Sequence, residues 1–213
     1  MDQLKLAQII EETVREALSK ETGRKGEVPI AVSNRHIHLS PEAVDRLFGR
    51  GYQLKKLKDL SQPGQFAAKE TVTIIGPKGK LINVRVLGPA RGKTQVEISL
   101  SDGFTLGVKV PIRNSGEIDG TPGIVIQGPR GQLKIAEGLI CAARHIHMHP
   151  SDAEAFKVED GDMVSVKADG VRGVTFDNTL IRVSPKYALE MHVDFDEANG
   201  ANLQQGQTGQ LIK

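Results

Sequence analysis

Short stretches in which apolar and polar residues alternate fill most of the chain after residue 27. Such alternation places apolar side chains on one face of a strand, and glycine-rich turn sequences separate the stretches. Short strands at this spacing indicate β-barrels rather than a doubly wound α/β sheet. The predicted strands cover residues 28–33, 70–76, 81–88, 95–100, 106–112, 123–128, 163–168, 179–184 and 189–195.

Residues 1–21 follow a different pattern, because their apolar positions recur at helical spacing and predict an amphipathic helix. The helix could dock on its own protein or bind another protein, and the pattern leaves both interpretations open. The segment is charged throughout, so it is not a signal peptide. The chain also contains no apolar run near the roughly 20 residues of a membrane helix. We therefore expect a cytoplasmic protein that does not bind membranes.

One sequence unit occurs twice: RHIHLSP at residues 35–41 returns as RHIHMHP at residues 144–150. Each copy leads into a short predicted helix and then into strand-like sequence. This duplication predicts a mainly β protein with two related small β-barrel domains, residues 35–143 and 144–213, and short helices. We expect Ser40 to cap the first helix and Ser151 and Glu154 to form a capping box on the second.

The amino-acid composition excludes several classes of function and of metal site. Lys and Arg number 28 against 26 Asp and Glu, a net charge of +2, and aromatic residues make up 4%. This composition excludes nucleic-acid binding by bulk positive charge and argues against platforms that stack single strands. A lone cysteine, Cys141, excludes a disulfide framework and a cysteine-rich zinc site, and we expect it to be a small buried hydrophobe.

Each repeat carries a His-x-His pair, His36 with His38 and His145 with His147. Because side chains on a strand alternate, both imidazoles of a pair lie on one side and form part of a site for zinc or a similar metal. The alternative is a pair of hydrogen-bonded strand histidines. The duplication favours metal.

Each pair needs a third ligand. Glu97 and His192 both lie within a predicted strand, six residues after a cation, Arg91 in one case and Lys186 in the other. The alternatives are a solvated strand face for Glu97 and a buried, hydrogen-bonded imidazole for His192. Three protein ligands with an open position are typical of a catalytic metal. The predicted sets are His36, His38 and Glu97, and His145, His147 and His192.

Arg91 also indicates an anion site. Its guanidinium could hold a phosphate or carboxylate in a bidentate manner. Lys78, Lys80, Arg85 and Lys93 make the surrounding sequence basic, which favours a small polyanionic ligand. Solvated turn lysines are the alternative for Lys80 and Lys93.

Several motifs in order resemble the phosphate propanoyltransferase family, the PduL-type phosphotransacylases, from about Val28 to about Asn202. The motifs are SNRHIHLS, SQPGQFAAKETV, GPKGKL, VRVLGPARGKTQVEIS, SGEIDGTPGI and RHIHMHP. The resemblance implies reversible conversion of acyl-CoA (propanoyl or acetyl) and phosphate into acyl-phosphate and CoA. It implies two β-barrels, with the strand in residues 22–34 crossing to the second. It also implies two zinc ions, or other divalent metals, at the predicted sets and phosphate at Arg91.

The resemblance further implies a CoA site and several partners. The implied CoA contacts are Ala31, Val32, Ser33, Lys78, Arg85, Phe104, Ser115 and Asn199. Family members in bacterial microcompartments carry amphipathic encapsulation peptides at the N-terminus, so a shell protein and a homodimer are candidate partners. His149 departs from the family, where serine is more usual, and it could perturb the second metal set or bind metal adventitiously.

Phosphate is itself a competent nucleophile, and the sequence offers no nucleophile elbow and no Cys-His arrangement. We therefore expect direct attack of phosphate on the thioester, with the metals as Lewis acids. Two alternatives stay open. One is a dinuclear zinc hydrolase of thioesters or phosphoesters, and the other is a metal-dependent binding or scaffold module without turnover.

Overall fold

The computed structural model describes residues 26–213, so the helix predicted at residues 1–21 lies outside the described residues. The described part is mainly β, as predicted, and its helices are short. The strands are β1 (Glu27–Val32), β2 (His36–His38), β3 (Lys56–Asp59), β4 (Phe66–Ile75), β5 (Lys80–Gly88), β6 (Gln95–Glu97), β7 (Ile112–Arg113), β8 (Ile124–Gln127), β9 (Gln132–Ile135), β10 (Leu139–Ala142), β11 (His145–Met148), β12 (Met163–Ala168), β13 (Val174–Val183), β14 (Glu190–Val193) and β15 (Thr208–Ile212). The helices are α1 (Pro41–Phe48), α2 (Leu100–Leu106), α3 (Pro150–Phe156) and α4 (Phe195–Ala201).

The strands form one closed barrel and one curled half-barrel sheet. The closed barrel has the strand order β1-β14-β11-β13-β12-β15. The half-barrel sheet has the order β7-β10-β6-β2-β5-β4-β8-β9, with β3 paired to β4. Its outermost strands, β7 and β9, are not paired with each other, so this sheet stays open where the other closes.

The duplication seen in the sequence recurs in the strand pairing. In the half-barrel sheet, β2 runs parallel to β5 and antiparallel to β6. In the closed barrel, β11 runs parallel to β13 and antiparallel to β14. Each His-x-His strand therefore lies at the centre of an equivalent three-stranded unit.

The strand that precedes each His-x-His pair belongs to the opposite sheet. β1 comes just before β2 in sequence but pairs with β14 and β15 of the closed barrel. β10 comes just before β11 but pairs with β6 and β7 of the half-barrel sheet. The two sheets thus exchange one strand each, which brings both His-x-His strands to the boundary between them.

Two hydrophobic cores fill the sheets. Ile37 and Ile146, the middle residues of the two His-x-His pairs, are fully buried, one in each core. Cys141 is buried in the first core, as expected for a small hydrophobe. Because the middle residue of each pair points into a core, both flanking histidines point away from it.

Helix caps explain one difference from the predicted strands. The segment 106–112 is not a strand apart from its end, where β7 begins. Ser99 instead starts α2 by accepting a hydrogen bond from the Asp102 N–H at 3.2 Å, and Gly107 ends the helix in the left-handed conformation. Leu106 and Gly107 therefore belong to the end of this helix, and residues 108–111 form no strand.

The caps of α1 and α3 correspond to each other. Ser40 caps α1, as predicted, by accepting from the Ala43 N–H. The capping box predicted at Ser151 and Glu154 is wrong, because α3 begins at Pro150 and Ser151 therefore lies inside the helix. His149 is the N-cap, and its partner in the capping box is Asp152. Within residues 26–213, the helices are all too short or too polar to cross a membrane.

Candidate functional site

The first set, His36, His38 and Glu97, lies on two neighbouring strands of the half-barrel sheet. His36 on β2 is directly opposite Glu97 on β6. The Glu97 carboxylate lies 3.5 Å from His36 Nε2 through one oxygen and 3.7 Å from His38 Nε2 through the other. The structure therefore brings all three predicted residues together.

Burial and charge set the protonation of this set. Burial opposes ionisation of Glu97, but the neighbouring His36 and His38 outweigh it and hold the pKa of Glu97 well below its usual range. Burial also opposes protonation of His36, yet Glu97 raises its pKa overall. Burial and the charge of His36 lower the pKa of His38 to about 3. At neutral pH this set is therefore a carboxylate beside a neutral His38.

The second set, His145, His147 and His192, repeats the arrangement in the closed barrel. His145 on β11 is directly opposite His192 on β14. Ring centroids are 5.1 Å apart for His145 and His192, and 4.9 Å apart for His147 and His192. Burial and the neighbouring histidines lower the pKa of His145 to about 4 and that of His147 to about 2.

The hydrogen bonds made or lacked by the histidine nitrogens show whether a metal ion fits the two pairs. His36 Nδ1 lies 2.8 Å from the Asn34 carbonyl, and His145 Nδ1 lies 2.9 Å from the Ala143 carbonyl. A carbonyl accepts only, so each of these nitrogens carries the proton and Nε2 holds the lone pair. The second histidine of each pair has a buried Nδ1 without a hydrogen bond.

In both pairs, therefore, the first histidine has its Nδ1 bonded to a carbonyl and the second has an unbonded Nδ1. One ligand atom from each residue of a set lies within 4.8 Å of those of the other two. Imidazoles with one carboxylate, and three imidazoles, are donor sets that suit zinc and similar divalent ions. A buried nitrogen that lacks a hydrogen bond is costly unless a ligand satisfies it. The residues of both sets thus fit a metal ion.

Arg91 lies beside both sets. Its backbone N–H donates to the Leu39 carbonyl at 2.9 Å, and its guanidinium donates to Gln65 Oε1 at 3.2 Å. Burial lowers the pKa of Arg91, and the Glu97 carboxylate opposes this effect. The charge of Arg91 adds to burial in lowering the pKa values of His38 and His147, one from each set. The charge of Arg91 therefore acts on one histidine of each predicted metal set.

A cleft at the boundary of the two sheets includes part of the first set. Its lining joins residues of β2 and β6 to the start of α4. Ser33 lines this cleft, and its hydroxyl lies 3.5 Å from His192 Nδ1, so it also reaches the second set. Ala31 on β1 is directly opposite His192, with Val32 next to it.

The other predicted CoA contacts lie at several places. Lys78 is exposed in the β4–β5 turn, and its N–H donates to the carbonyl of Leu106 at the end of α2. Phe104 on the same helix is 84% exposed. Asn199 is exposed on α4, whose Asp196 accepts a hydrogen bond from the Ser101 N–H of α2.

Two predicted CoA contacts have protein partners instead. Arg85 is directly opposite His36, and its guanidinium donates to the Ala68 and Lys69 carbonyls at 3.0 and 2.9 Å. Ser115 donates to Glu97 Oε1 at 2.9 Å, so its hydroxyl contacts the first predicted metal set. None of these three hydrogen bonds involves the exposed surface near Phe104.

The sequence missed two polar residues that contact the sets. Gln95 donates to Glu97 Oε1 at 2.5 Å, and Glu190 Oε2 lies 3.2 Å from His192 Nε2. The nearby His192 ring and the Ser61 hydroxyl outweigh burial and lower the pKa of Glu190. Each residue stands two positions before the third ligand of its set, so period-two alternation was the signal that could have found both.

His149 does not join the second set. Its Nδ1 faces the start of α3, 3.3 Å from the Ser151 N–H, and His149 is absent from the groups of converging ligand atoms in the described residues. The residue thus takes the helix-capping place that Ser40 takes in the other repeat.

Comparison with known proteins identifies close relatives. The family model described as phosphate propanoyltransferase matches residues 29–204. A phosphate propanoyltransferase of Thermotoga maritima is 56% identical over 200 residues, which cover 93% of this chain and 92% of the relative. Proteins of the same description from Listeria monocytogenes and Clostridioides difficile are each 50% identical, over 98% and 96% of this chain and 95% and 98% of their own lengths.

Proposed function

Because the chain belongs to the phosphate propanoyltransferase family and is a phosphate acyltransferase, we propose that its acyl transfer takes place where the two predicted metal sets meet Arg91. The reaction converts propanoyl-CoA or acetyl-CoA and phosphate reversibly into acyl-phosphate and CoA. The observation that carries this proposal is the charge of Arg91, which acts on a histidine of each set. An anion at Arg91 would lie beside both.

Two divalent metal ions, with zinc as the best fit, would be held by His36, His38 and Glu97 and by His145, His147 and His192. Bound there, they would supply Lewis-acid stabilisation of the thioester oxygen and of the departing thiolate. The low pKa values of His38, His145 and His147 keep their lone pairs available at neutral pH, which supports the assignment.

The protein's own residues hold and orient the reactants. Arg91 binds phosphate through its guanidinium, a cation that stays charged at neutral pH. A phosphate oxygen attacks the thioester carbonyl carbon, a carbon–oxygen bond forms, the carbon–sulfur bond breaks, and CoA leaves as its thiolate. Holding both reactants in register supplies the proximity contribution to the rate. Cys141 is not placed to act as a covalent nucleophile, since it is buried and burial raises the pKa of its thiol.

CoA would lie along the boundary of the two sheets and reach the surface near α2. Ala31, Val32 and Ser33 lie beside His192, where the acyl end must react. Lys78, Phe104 and Asn199 are exposed near α2 and α4, where they can contact the nucleotide end. Arg85 and Ser115 complete the proposed set, with protein hydrogen bonds that CoA would supplement.

The deciding experiment incubates the metal-loaded protein with acetyl-CoA and with propanoyl-CoA, with and without phosphate. We expect CoA release only with phosphate, together with one equivalent of acyl-phosphate. Equal CoA release without phosphate would replace the proposal with a thioester hydrolase, in which the metals activate water. No release in either case would leave a metal-dependent binding module. Metal content, measured on the same sample, reports whether two ions are bound.

We further propose that the enzyme acts in the cytoplasm. Its domains are residues 35–143 and 144–213, and the strand in residues 22–34 crosses over to the second. Residues 1–21 form the amphipathic helix. Deleting residues 1–20 distinguishes the two roles of this helix. Loss of solubility would favour docking on the protein or in a homodimer. An unchanged enzyme that no longer binds a microcompartment shell protein would favour encapsulation.

A further inference from the structure

We propose that Gln95 and Glu190 are equivalent positioning residues, each of which holds the third ligand of its own metal set. The inference deepens the proposed function, because it rests on the same two sets. It assigns a role to two buried or nearly buried polar groups that touch the sets without belonging to them.

The equivalence of the two residues follows from strand register. Gln95 on β6 is directly opposite His38 on β2. Glu190 on β14 is directly opposite His147 on β11. Each therefore faces the second histidine of a His-x-His pair. Each also stands on the same face of its strand as the third ligand, since the two are two positions apart.

Gln95 is fixed in one orientation. Its Oε1 accepts a hydrogen bond from the Gly116 N–H at 2.8 Å, and a backbone N–H can only donate. Its Nε2 must therefore point at Glu97, where it donates to Oε1 at 2.5 Å, and it also lies 2.9 Å from the Ser115 hydroxyl. A carboxylate ligand thus receives a donor that leaves its other oxygen facing His36.

Glu190 provides the opposite chemistry. The metal ligand beside Glu190 is the imidazole of His192, and Glu190 places a carboxylate oxygen 3.2 Å from His192 Nε2. The negative charge stabilises positive charge on the ring or on an ion that the ring holds, and such carboxylate partners orient metal-bound histidines. The two halves have therefore exchanged roles: an amide supports a carboxylate ligand in one, and a carboxylate supports an imidazole ligand in the other.

Glu190 also connects the second set to the other sheet. Its Oε2 accepts a hydrogen bond from the Ser61 hydroxyl and lies 3.5 Å from Gln62 Nε2. Gln62 is buried and exchanges hydrogen bonds with both backbone groups of Ala188, at 3.0 and 3.2 Å. The loop between β3 and β4 thus holds Glu190 from across the boundary between the sheets.

The test measures metal binding to the full chain without substrate. Zn²⁺ affinity is determined by competition with a chromophoric chelator for wild type, Gln95→Leu, Glu190→Leu and the double variant. The visible spectrum of bound Co²⁺ reports changes in ligand geometry. Gln127→Leu is the matched control, because it makes the same substitution at an exposed glutamine of β8 that belongs to neither set. Glu190→Gln retains a hydrogen-bond acceptor without the charge.

We expect two Zn²⁺ equivalents in wild type. Each Leu variant should bind one of these two ions about tenfold or more weakly, and the double variant should bind both more weakly. The Zn²⁺ affinity of Glu190→Gln should lie between those of wild type and Glu190→Leu. Gln127→Leu should bind as wild type does. Wild-type affinity for both equivalents in a folded single variant would overturn the inference, as would equal weakening of both. If a Leu variant does not fold, Glu190→Gln decides: unchanged affinity and Co²⁺ spectrum would overturn it. Failure of the proposed function appears separately, as absent phosphate-dependent turnover in wild type.

Discussion

The backbone N–H of Arg91 donates a hydrogen bond to the carbonyl oxygen of Leu39, with 2.9 Å between nitrogen and oxygen. Leu39 is fully buried and follows His38 directly, so this bond ties the loop that carries Arg91 to the strand that carries the first histidine pair. The bond does not involve the guanidinium. A substitution of the Arg91 side chain can therefore remove the charge while the backbone hydrogen bond to Leu39 is retained.

Arg91→Ala should lose phosphate use while keeping its fold. The backbone bond to Leu39 remains, but the cation that would hold phosphate is gone. Removing one such group from an active site typically costs about 100-fold or more in rate. Steady-state kinetics with phosphate varied should show this loss, and circular dichroism should show an unchanged fold. Lys93→Ala, which removes an exposed cation from the same loop, is the control and should retain activity. Wild-type phosphate saturation in Arg91→Ala would refute the assignment.

The metal-free protein should lose stability as pH falls from 7 to 5. His145 and His147 have pKa values of about 4 and about 2 in the folded chain, against about 6.5 in the unfolded chain. The unfolded state therefore binds more protons below pH 6.5, and the folded state is disfavoured by about 1–2 kcal/mol per histidine at pH 5. His36 opposes this, because its raised pKa adds stability that is fully present below about 6.5 and is lost above the folded pKa.

Urea unfolding in the presence of a chelator at pH 7, 6 and 5 measures this effect. His38 also has a lowered pKa, so His147→Gln removes one of three such histidines, and its stability should fall less steeply with decreasing pH. An identical pH dependence in wild type and His147→Gln would contradict the pKa assignment.

Cys141 should be dispensable for the chemistry. Its thiol donates to Asp194 at 3.1 Å, and burial together with that carboxylate raises its pKa, so little thiolate exists at neutral pH. Cys141→Ala should turn over at about the wild-type rate and lose about 1 kcal/mol of stability. Alkylation by iodoacetamide should be slow in the native protein and fast in urea. Isolation of an acyl group on Cys141 would contradict direct attack by phosphate.

His149 should matter for helix stability and not for metal content. His149→Ser restores the kind of cap that Ser40 provides and should keep wild-type stability. His149→Ala leaves the N-terminus of α3 without a side-chain cap and should lose about 1 kcal/mol. Both variants should bind as much metal as wild type. Loss of one metal equivalent in His149→Ser would place His149 in the second set.

The sequence predicted the two metal sets because a duplicated motif relates His36 to His145 and period two relates each pair to one strand face. Period two could also have placed Gln95 and Glu190 on the strand faces of Glu97 and His192, but which histidines they stand opposite depends on strand register, which the sequence does not give. The strand predicted at 106–112 was wrong, because Leu106 and Gly107 form the end of α2 and only Ile112 of this segment belongs to a strand. Alternation also did not distinguish a closed barrel from a half-barrel sheet, which depends on whether the outermost strands meet.

The exchange of strands between the sheets has a consequence for how the chain acquires its fold during synthesis. β1 is the first described strand to leave the ribosome, and it pairs with β15, so that Glu27 stands opposite Gln210. The closed barrel therefore cannot form until nearly the whole chain has emerged. Contacts between residues so distant in sequence form slowly and leave strand edges exposed meanwhile. The half-barrel sheet draws its strands from residues 36–142 and can assemble first, whereas β1 must wait until β14 and β15 of the closed barrel are available to pair with it.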